Sequence, residues 1–151
     1  MLREELTDAM KVAMKNKDKR RLTTIRLILA AIKDRDISMR SEAGSNGVED
    51  SHIIEILSKM VKQRKESIVA YEEAGRLELA EQEKDEMEII AEYLPKQMSE
   101  DEIMAAVDTA ISATEATGLK DIGKIMAHLK AAHAGEMDFA KASAAARDKL
   151  S

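Results

Sequence analysis

Cysteine is absent from this chain of 151 residues. Disulfides, a thiol nucleophile and any thiolate-bound metal are therefore excluded. Tryptophan is absent too, and the aromatics are only Tyr71, Tyr93 and Phe139. That is too few for an aromatic platform on which bases could stack. The longest apolar run, Leu27 to Ile32, falls far short of the ~20 residues that span a bilayer. Arg3, Glu4 and Glu5 stand where the apolar part of a secretory signal would have to follow, so none is predicted. These absences predict a cytoplasmic protein with no membrane partner. The six glycines form no phosphate-cradling or dinucleotide loop, and no HExxH pair occurs. No segment alternates apolar and polar residues as a strand does.

What is present favours helices. Apolar residues make up 44% of the chain, enough for one domain with a real core, or a domain with a small appendage. Ten methionines, with abundant Ala, Leu, Ile, Glu and Lys, suit helix formation. The net charge of −5 hides a segregation. Residues 1–71 carry 15 Lys/Arg and 11 Asp/Glu, net +4. Residues 72–94 carry 2 and 9, net −7, and residues 95–151 carry 7 and 9, net −2. An acidic whole argues against tight non-specific binding of nucleic acid, DNA in particular, because such binding depends on neutralising phosphates. A basic face on the first part stays open.

The apolar periodicity predicts an all-α protein, about four-fifths helical. Leu2, Leu6, Ala9, Met10 and Ala13 line one face of a first helix ending at Lys15. "NKD" breaks it, and Asp18 is placed to cap the next, with Leu22, Ile25, Ile28, Leu29 and Ile32 on its face and an end near Ser38. "MRSEAGSNGVE", Met39 to Glu49, reads as a mobile surface loop. Asp50 or Ser51 then caps a long helix, which Gly75 ends or bends. A fourth helix runs from about Arg76 to Tyr93. Pro95, the only proline, forces Leu94 out of helical geometry and marks a boundary. Ser99, with Glu102 three residues on, forms a capping box. It opens a helix with Ile103, Ala106, Val107, Ala110 and Ile111 on one side. "EATGLKD" ends that helix, a shorter one carries Ile122, Ile125, Met126 and Leu129, and Asp138 caps the last. The chain thus divides into residues 1–94, four helices with a long helical hairpin, and residues 95–151, a three-helix tail.

Few residues offer chemistry. His128 and His133 are five apart, about 140° on a helix, and cannot easily share a metal. No glycine-rich nucleophile elbow surrounds a serine. Glu72-Glu73 and Glu81/Asp85 read as solvated helix faces rather than acid–base couples. We therefore predict no catalytic residue, no cofactor and no metal. One feature stands out. Around "KMVKQRKESIVAYEEAGRLELAEQEKDE", apolar residues recur at Ile53, Ile56, Leu57, Met60 and Val61 and return at Ile68, Val69 and Tyr71, but between them lie the six polar residues Lys62 to Ser67, with Gln63 and Arg64 where the stripe should continue. Arg64 falls on the stripe itself, where a cation must be paired or must snorkel along its stem. If the helices fold back around Gly75, Arg64 comes level with the acidic segment, and Asp85, Glu81 or Glu88 could pair with Arg64 or Lys65. The block Lys62, Gln63, Arg64, Glu66, Ser67, Tyr71 and Arg76 is thus either an ion-pair network specifying the hairpin or a recognition surface for an anionic or peptide partner.

The same residues resemble the YqeY family. Lys62, Gln63, Arg64, Glu66 and Ser67 match its lysine-glutamine-arginine-x-glutamate-serine block. Tyr71 follows, then Ala74, Gly75 and Arg76 at its turn, and Tyr93, Leu94 and Pro95 at its boundary. "DIGKIMAHLK", Asp121 to Lys130, is similar to its tail motif. The resemblance implies an all-helical protein whose tail is similar to the C-terminal domain of GatB, the tRNA-handling subunit of a glutamine-dependent amidotransferase. It thereby implies association with tRNA and a carbon–nitrogen ligase label with glutamine as amido donor. The catalytic part of GatB has no counterpart here. The other reading is a protein–protein interaction adaptor docking a protein partner. The tail motif also has a physical reading: Asp121 caps its helix, with Gly123 and Lys124 in the first turn, and a helix N-terminus beside a lysine can hold a phosphate, which makes Gly123 and Lys124 the candidate tRNA contact of the tail. The plainer reading is that Gly123 lets a neighbouring helix pack closely. "AHLKAAHAGEM" carries less positive charge than the family's tails do.

Overall fold

The computed structural model describes residues 1–40 and 47–151. These residues form seven α-helices and one short 3-10 turn, with no strand among them. They divide into two compact units, Met1–Leu94 and Pro95–Ser151. Most of the loop expected from Met39 to Glu49 lies outside the described residues. Its first residue does not belong to a loop: Met39 is buried and ends a helix. It lies seven positions after Ile32, so two further turns keep it on the buried stripe.

The first unit contains α1 (Leu2–Lys15), α2 (Lys19–Met39), α3 (Asp50–Glu73) and α4 (Leu77–Ala91). Asp18 caps α2, its carboxylate accepting from the Arg21 amide at 3.2 Å. The start of α3 differs from expectation. Glu49 is the cap residue, and its amide donates to His52 Nδ1 at 3.0 Å. Asp50 instead accepts from the Leu2 amide at 3.1 Å, tying α1 to α3. At the other end of α3, Gly75 adopts φ +72°, the left-handed conformation in which a side chain is penalised. That turn folds α4 back along α3. Leu6, Ile28, Ile32, Ile53, Leu57, Met60 and Ile90 make the core, with Tyr93 and Leu94 packed against it. One residue from α1, two from α2, three from α3 and one from α4 meet there, so no helix of this unit buries its stripe alone.

The second unit contains α5 (Glu100–Thr114), the 3-10 turn Leu119–Asp121, α6 (Ile122–Ala132) and α7 (Phe139–Leu150). The capping box at its start is reciprocal: Glu102 N–H donates to Ser99 Oγ at 3.2 Å, and Ser99 N–H donates to the Glu102 carboxylate at 3.3 Å. Ile103, Val107 and Ala110 from α5 pack on Ile125 and Leu129 from α6 and on Ala142 and Ala146 from α7. The alanines of α7 let the three helices close tightly, since a small residue brings the backbones together.

Candidate functional site

The α3–α4 hairpin carries the interrupted stripe. Arg64 stands eleven positions before Gly75 and Glu86 eleven after it, so the fold-back brings them level. Arg64 Nε lies 3.4 Å from a Glu86 carboxylate oxygen and 4.0 Å from one of Glu83. The side chains of Arg64 and Glu86 are only 13% and 11% exposed. The guanidinium also donates to the Met60 carbonyl, at 3.4 Å. Nε itself is buried and makes no hydrogen bond among the described residues. The pair is therefore close in Coulombic terms but poorly aligned. Two carboxylates face one guanidinium, and Gln82 Nε2 shares the Glu86 load, donating at 3.4 Å.

The expected partners of Arg64 were Asp85, Glu81 and Glu88; the structure pairs it with Glu83 and Glu86. The reason lies in helical phase. Glu83 and Glu86 stand seven and four positions before the buried Ile90 and share its face, whereas Asp85 points away from α3 toward α2. There it takes a salt bridge from Arg20. The spacing to Ile90 was present in the sequence and would have identified both acids. The rest of the polar block does not join Arg64. Lys62, Gln63, Lys65 and Glu66 are exposed, Ser67 and Tyr71 are half-buried, and Arg76 is exposed as the residue preceding α4. The block thus divides into one inward arginine and an outward polar face. Near the turn, Lys84 donates to Glu72 at 2.9 Å, which raises the lysine pKa.

The charge segregation of the sequence closes up in space. The acidic segment lies against basic helices: Arg20 pairs with Asp85, and Arg21 with Glu92 at 2.7 Å. The Glu92 hydrogen bond raises the Arg21 pKa. Between α2 and α4 a polar cleft of about 290 Å³ opens, lined by Lys19, Arg20, Thr23, Gln82 and Glu86. Sequence reasoning missed it because its lining comes from two helices 60 residues apart, and no local motif announces it.

In the tail, the structure corrects two expectations. A Cβ added at Gly123 would meet nothing within 4 Å, so no neighbouring helix of the described residues packs closely on it. Asp121 does not cap α6 with its side chain. Its carboxylate turns back and accepts from the Thr117 amide at 3.0 Å. That hydrogen bond holds the Asp121 pKa below the ordinary carboxylate value, with the nearby Lys124 ammonium adding to the effect. Lys124 Nζ is 3.8 Å from the same carboxylate. A fixed negative charge therefore stands beside the proposed phosphate contact. Two other tail cations are engaged as well, Lys141 with Glu100 at 3.2 Å and Lys149 with Asp108. No group of three or more metal-ligating side chains gathers among the described residues. No described helix is long and apolar enough to cross a membrane.

Comparison with known proteins agrees with the resemblance read in the sequence. The family described as Yqey-like protein matches residues 3–150, and the chain belongs to it. "Altered inheritance of mitochondria protein 41, mitochondrial" of Eremothecium gossypii is 32% identical over 127 residues, covering 82% of this chain and 67% of that protein. The protein of the same name from Lachancea thermotolerans is 36% identical over 105 residues, 68% of this chain and 54% of its own length. That of Saccharomyces cerevisiae S288c is 33% identical over 85 residues, 56% of this chain and 44% of that one. The chain thus spans about two thirds of the first relative and about half of the other two. Their names place these relatives in mitochondria, in contrast to the cytoplasmic location expected from the sequence.

Proposed function

We propose that this Yqey-like chain is a non-catalytic helical accessory protein that associates with RNA. Its tail's similarity to GatB makes tRNA the RNA class and glutamine-dependent amidation the process. The chain contributes no chemical step in this reading; the amido transfer belongs to other subunits. The observation that carries the reading is the corner between α1 and α2. Lys11, Lys15 and Lys17 are exposed there and form no ion pair among the described residues. Lys11 and Lys15, four apart, share one face of α1, and Lys17 holds the turn at φ +56°. Ammonium groups free of internal counter-ions are what a phosphate backbone neutralises. Lys124, set beside Asp121, is the weaker candidate.

Fluorescence anisotropy with labelled tRNA across a salt series tests this. Reversing Lys11, Lys15 and Lys17 to Glu together should lower affinity and flatten the salt slope by about 2–3 units, while Lys124→Glu changes little. Wild-type protein with no tRNA affinity at moderate salt refutes the RNA reading. A second reading, the protein adaptor, rests on the hairpin's outward face. Val69 is 54% and Leu77 67% exposed there, with Lys62 and Glu66 alongside. It predicts a pulled-down partner that survives nuclease and is lost in Val69→Asp.

A further inference from the structure

The cleft between α2 and α4 draws its lining from both helices. Its five lining side chains are all polar, and they carry both signs of charge. Lys19, Arg20 and Thr23 face inward from the first turns of α2, and Gln82 and Glu86, four apart, face them from α4. Arg20 already pairs with Asp85, which fixes that wall. Lys19 forms no ion pair among the described residues. Thr23 donates its hydroxyl hydrogen to the Lys19 carbonyl at 2.8 Å, so toward the cleft its oxygen can only accept. Gln82 has given an amide hydrogen to Glu86 and keeps its own oxygen free.

Glu86 is the informative residue. It is 9% exposed as a whole, yet its two contacts, Gln82 Nε2 and Arg64 Nε, are both at 3.4 Å, and the second is not a hydrogen bond. A carboxylate so nearly buried ordinarily takes several short, aligned donors. This one has acceptor capacity left over, and the cleft is where a further donor could reach it.

We propose that this cleft binds a small zwitterion of the free α-amino-acid class. The ligand's ammonium donates to Glu86, with the Thr23 and Gln82 oxygens completing its three hydrogen bonds, and its carboxylate lies against Lys19. A simple anion is disfavoured because Glu86 would repel it. A divalent cation is disfavoured because Lys19 and Arg20 would repel it and only one carboxylate lines the wall. An apolar ligand is disfavoured because it would leave the spare acceptor capacity of Glu86 unmet. The volume, just below the roughly 300 Å³ of the smallest drug-sized sites, suits a molecule of few heavy atoms. This inference does not depend on the RNA reading, which uses Lys11, Lys15 and Lys17 instead.

The test is a nitrogen–proton NMR titration of the full chain with the standard amino acids one at a time. Methylammonium chloride and sodium acetate serve as the two halves of the ligand. The expected result is saturable movement of the amides around Lys19–Thr23 and Gln82–Glu86, and of the Gln82 side-chain amide, with one or a few amino acids. Neither half-ligand should saturate at the same concentration. Lys19→Gln and Glu86→Gln should each weaken binding about tenfold, the equivalent of about 1.4 kcal/mol. Because Glu86→Gln disturbs Arg64, its spectrum must first show a folded protein. Lys19→Gln and Gln82→Ala, on more exposed positions, keep the test decisive if it does not. No saturable shift with any amino acid overturns the proposal. So does acetate binding as well as an amino acid, or full affinity in Lys19→Gln.

Discussion

Arg64→Met tests the arrangement at the centre of the hairpin. The substitution keeps most of the stem volume and removes the charge. It leaves Glu86, with an 11% exposed side chain, and Glu83, at 22%, facing each other without a cation. Breaking a fully buried ion pair costs on the order of 3–5 kcal/mol. Here the Nε contact is unaligned, and Glu83 is exposed enough to swing into water. We therefore expect a loss of about 2–3 kcal/mol. Arg64→Met with Glu86→Leu should regain most of it, because an apolar pair of similar volume commonly equals or exceeds a buried ion pair. Urea denaturation followed by tyrosine fluorescence measures this. Tyr71 and Tyr93 both lie in the first unit and there is no tryptophan, so the signal reports that unit alone. A loss under about 0.5 kcal/mol, the range of ordinary surface changes, would show that Arg64 is not serving as a counter-ion. A double variant no better than the single would place the cost in lost packing instead.

Three further outcomes are expected. The Arg3 guanidinium donates to both Asp36 oxygens at 2.8 and 2.9 Å, which holds the Asp36 pKa below its ordinary 3.8; Asp121 is lowered through the Thr117 amide. A carboxylate with a lowered folded-state pKa contributes stability above its unfolded pKa and loses it as pH falls through the folded value. Stability against pH, followed by circular dichroism, should thus decline below about pH 4, and Asp36→Asn should shallow that decline. Gly75→Ala meets no atom within 4 Å, so its cost is the left-handed backbone alone, roughly 1–2 kcal/mol in the same urea assay; a neutral result would mean the turn can be rebuilt at another φ. Limited trypsin should cut after the exposed Lys96 before it cuts at Arg64 inside α3, and mass spectrometry of the first fragments reads the order.

The helices were legible because their signals are local. Asp18, Ser99 with Glu102, and Asp138 each announce a helix start within four residues, and Gly75 announces a turn by itself. The hairpin register was legible as well, since equal counts from Gly75 set Arg64 near the acids of α4. Counting from Gly75 did not say which acids Arg64 meets; counting back from Ile90 would have. That count uses the phase of α4, fixed by Ile90 reaching a core built from α1, α2 and α3. A limit of the sequence shows at Asp121. Its sequence position is that of a cap, but the 3-10 turn before α6 reorients the carboxylate toward Thr117, an outcome decided by loop geometry rather than by residue type. Gly123 showed the converse: a glycine in a helix suggested close packing, and the space beside it is open.

The segregation of charge along the chain has a different meaning once the helices are packed. Residues 72–94, net −7, read as an acidic surface in sequence. In space their carboxylates serve Arg20, Arg21, Arg64 and Lys84, so much of the apparent surplus on both sides is spent inside one unit. The acidic helix α4 is therefore a counter-ion for α2 and α3 before it is anything else. What is left over decides the functional reading. The uncompensated cations at the α1–α2 corner are few, and a handful of phosphate contacts gives an affinity that salt erodes quickly. Any RNA association through this corner alone must then be weak at physiological salt, and tight binding would require a second contact surface.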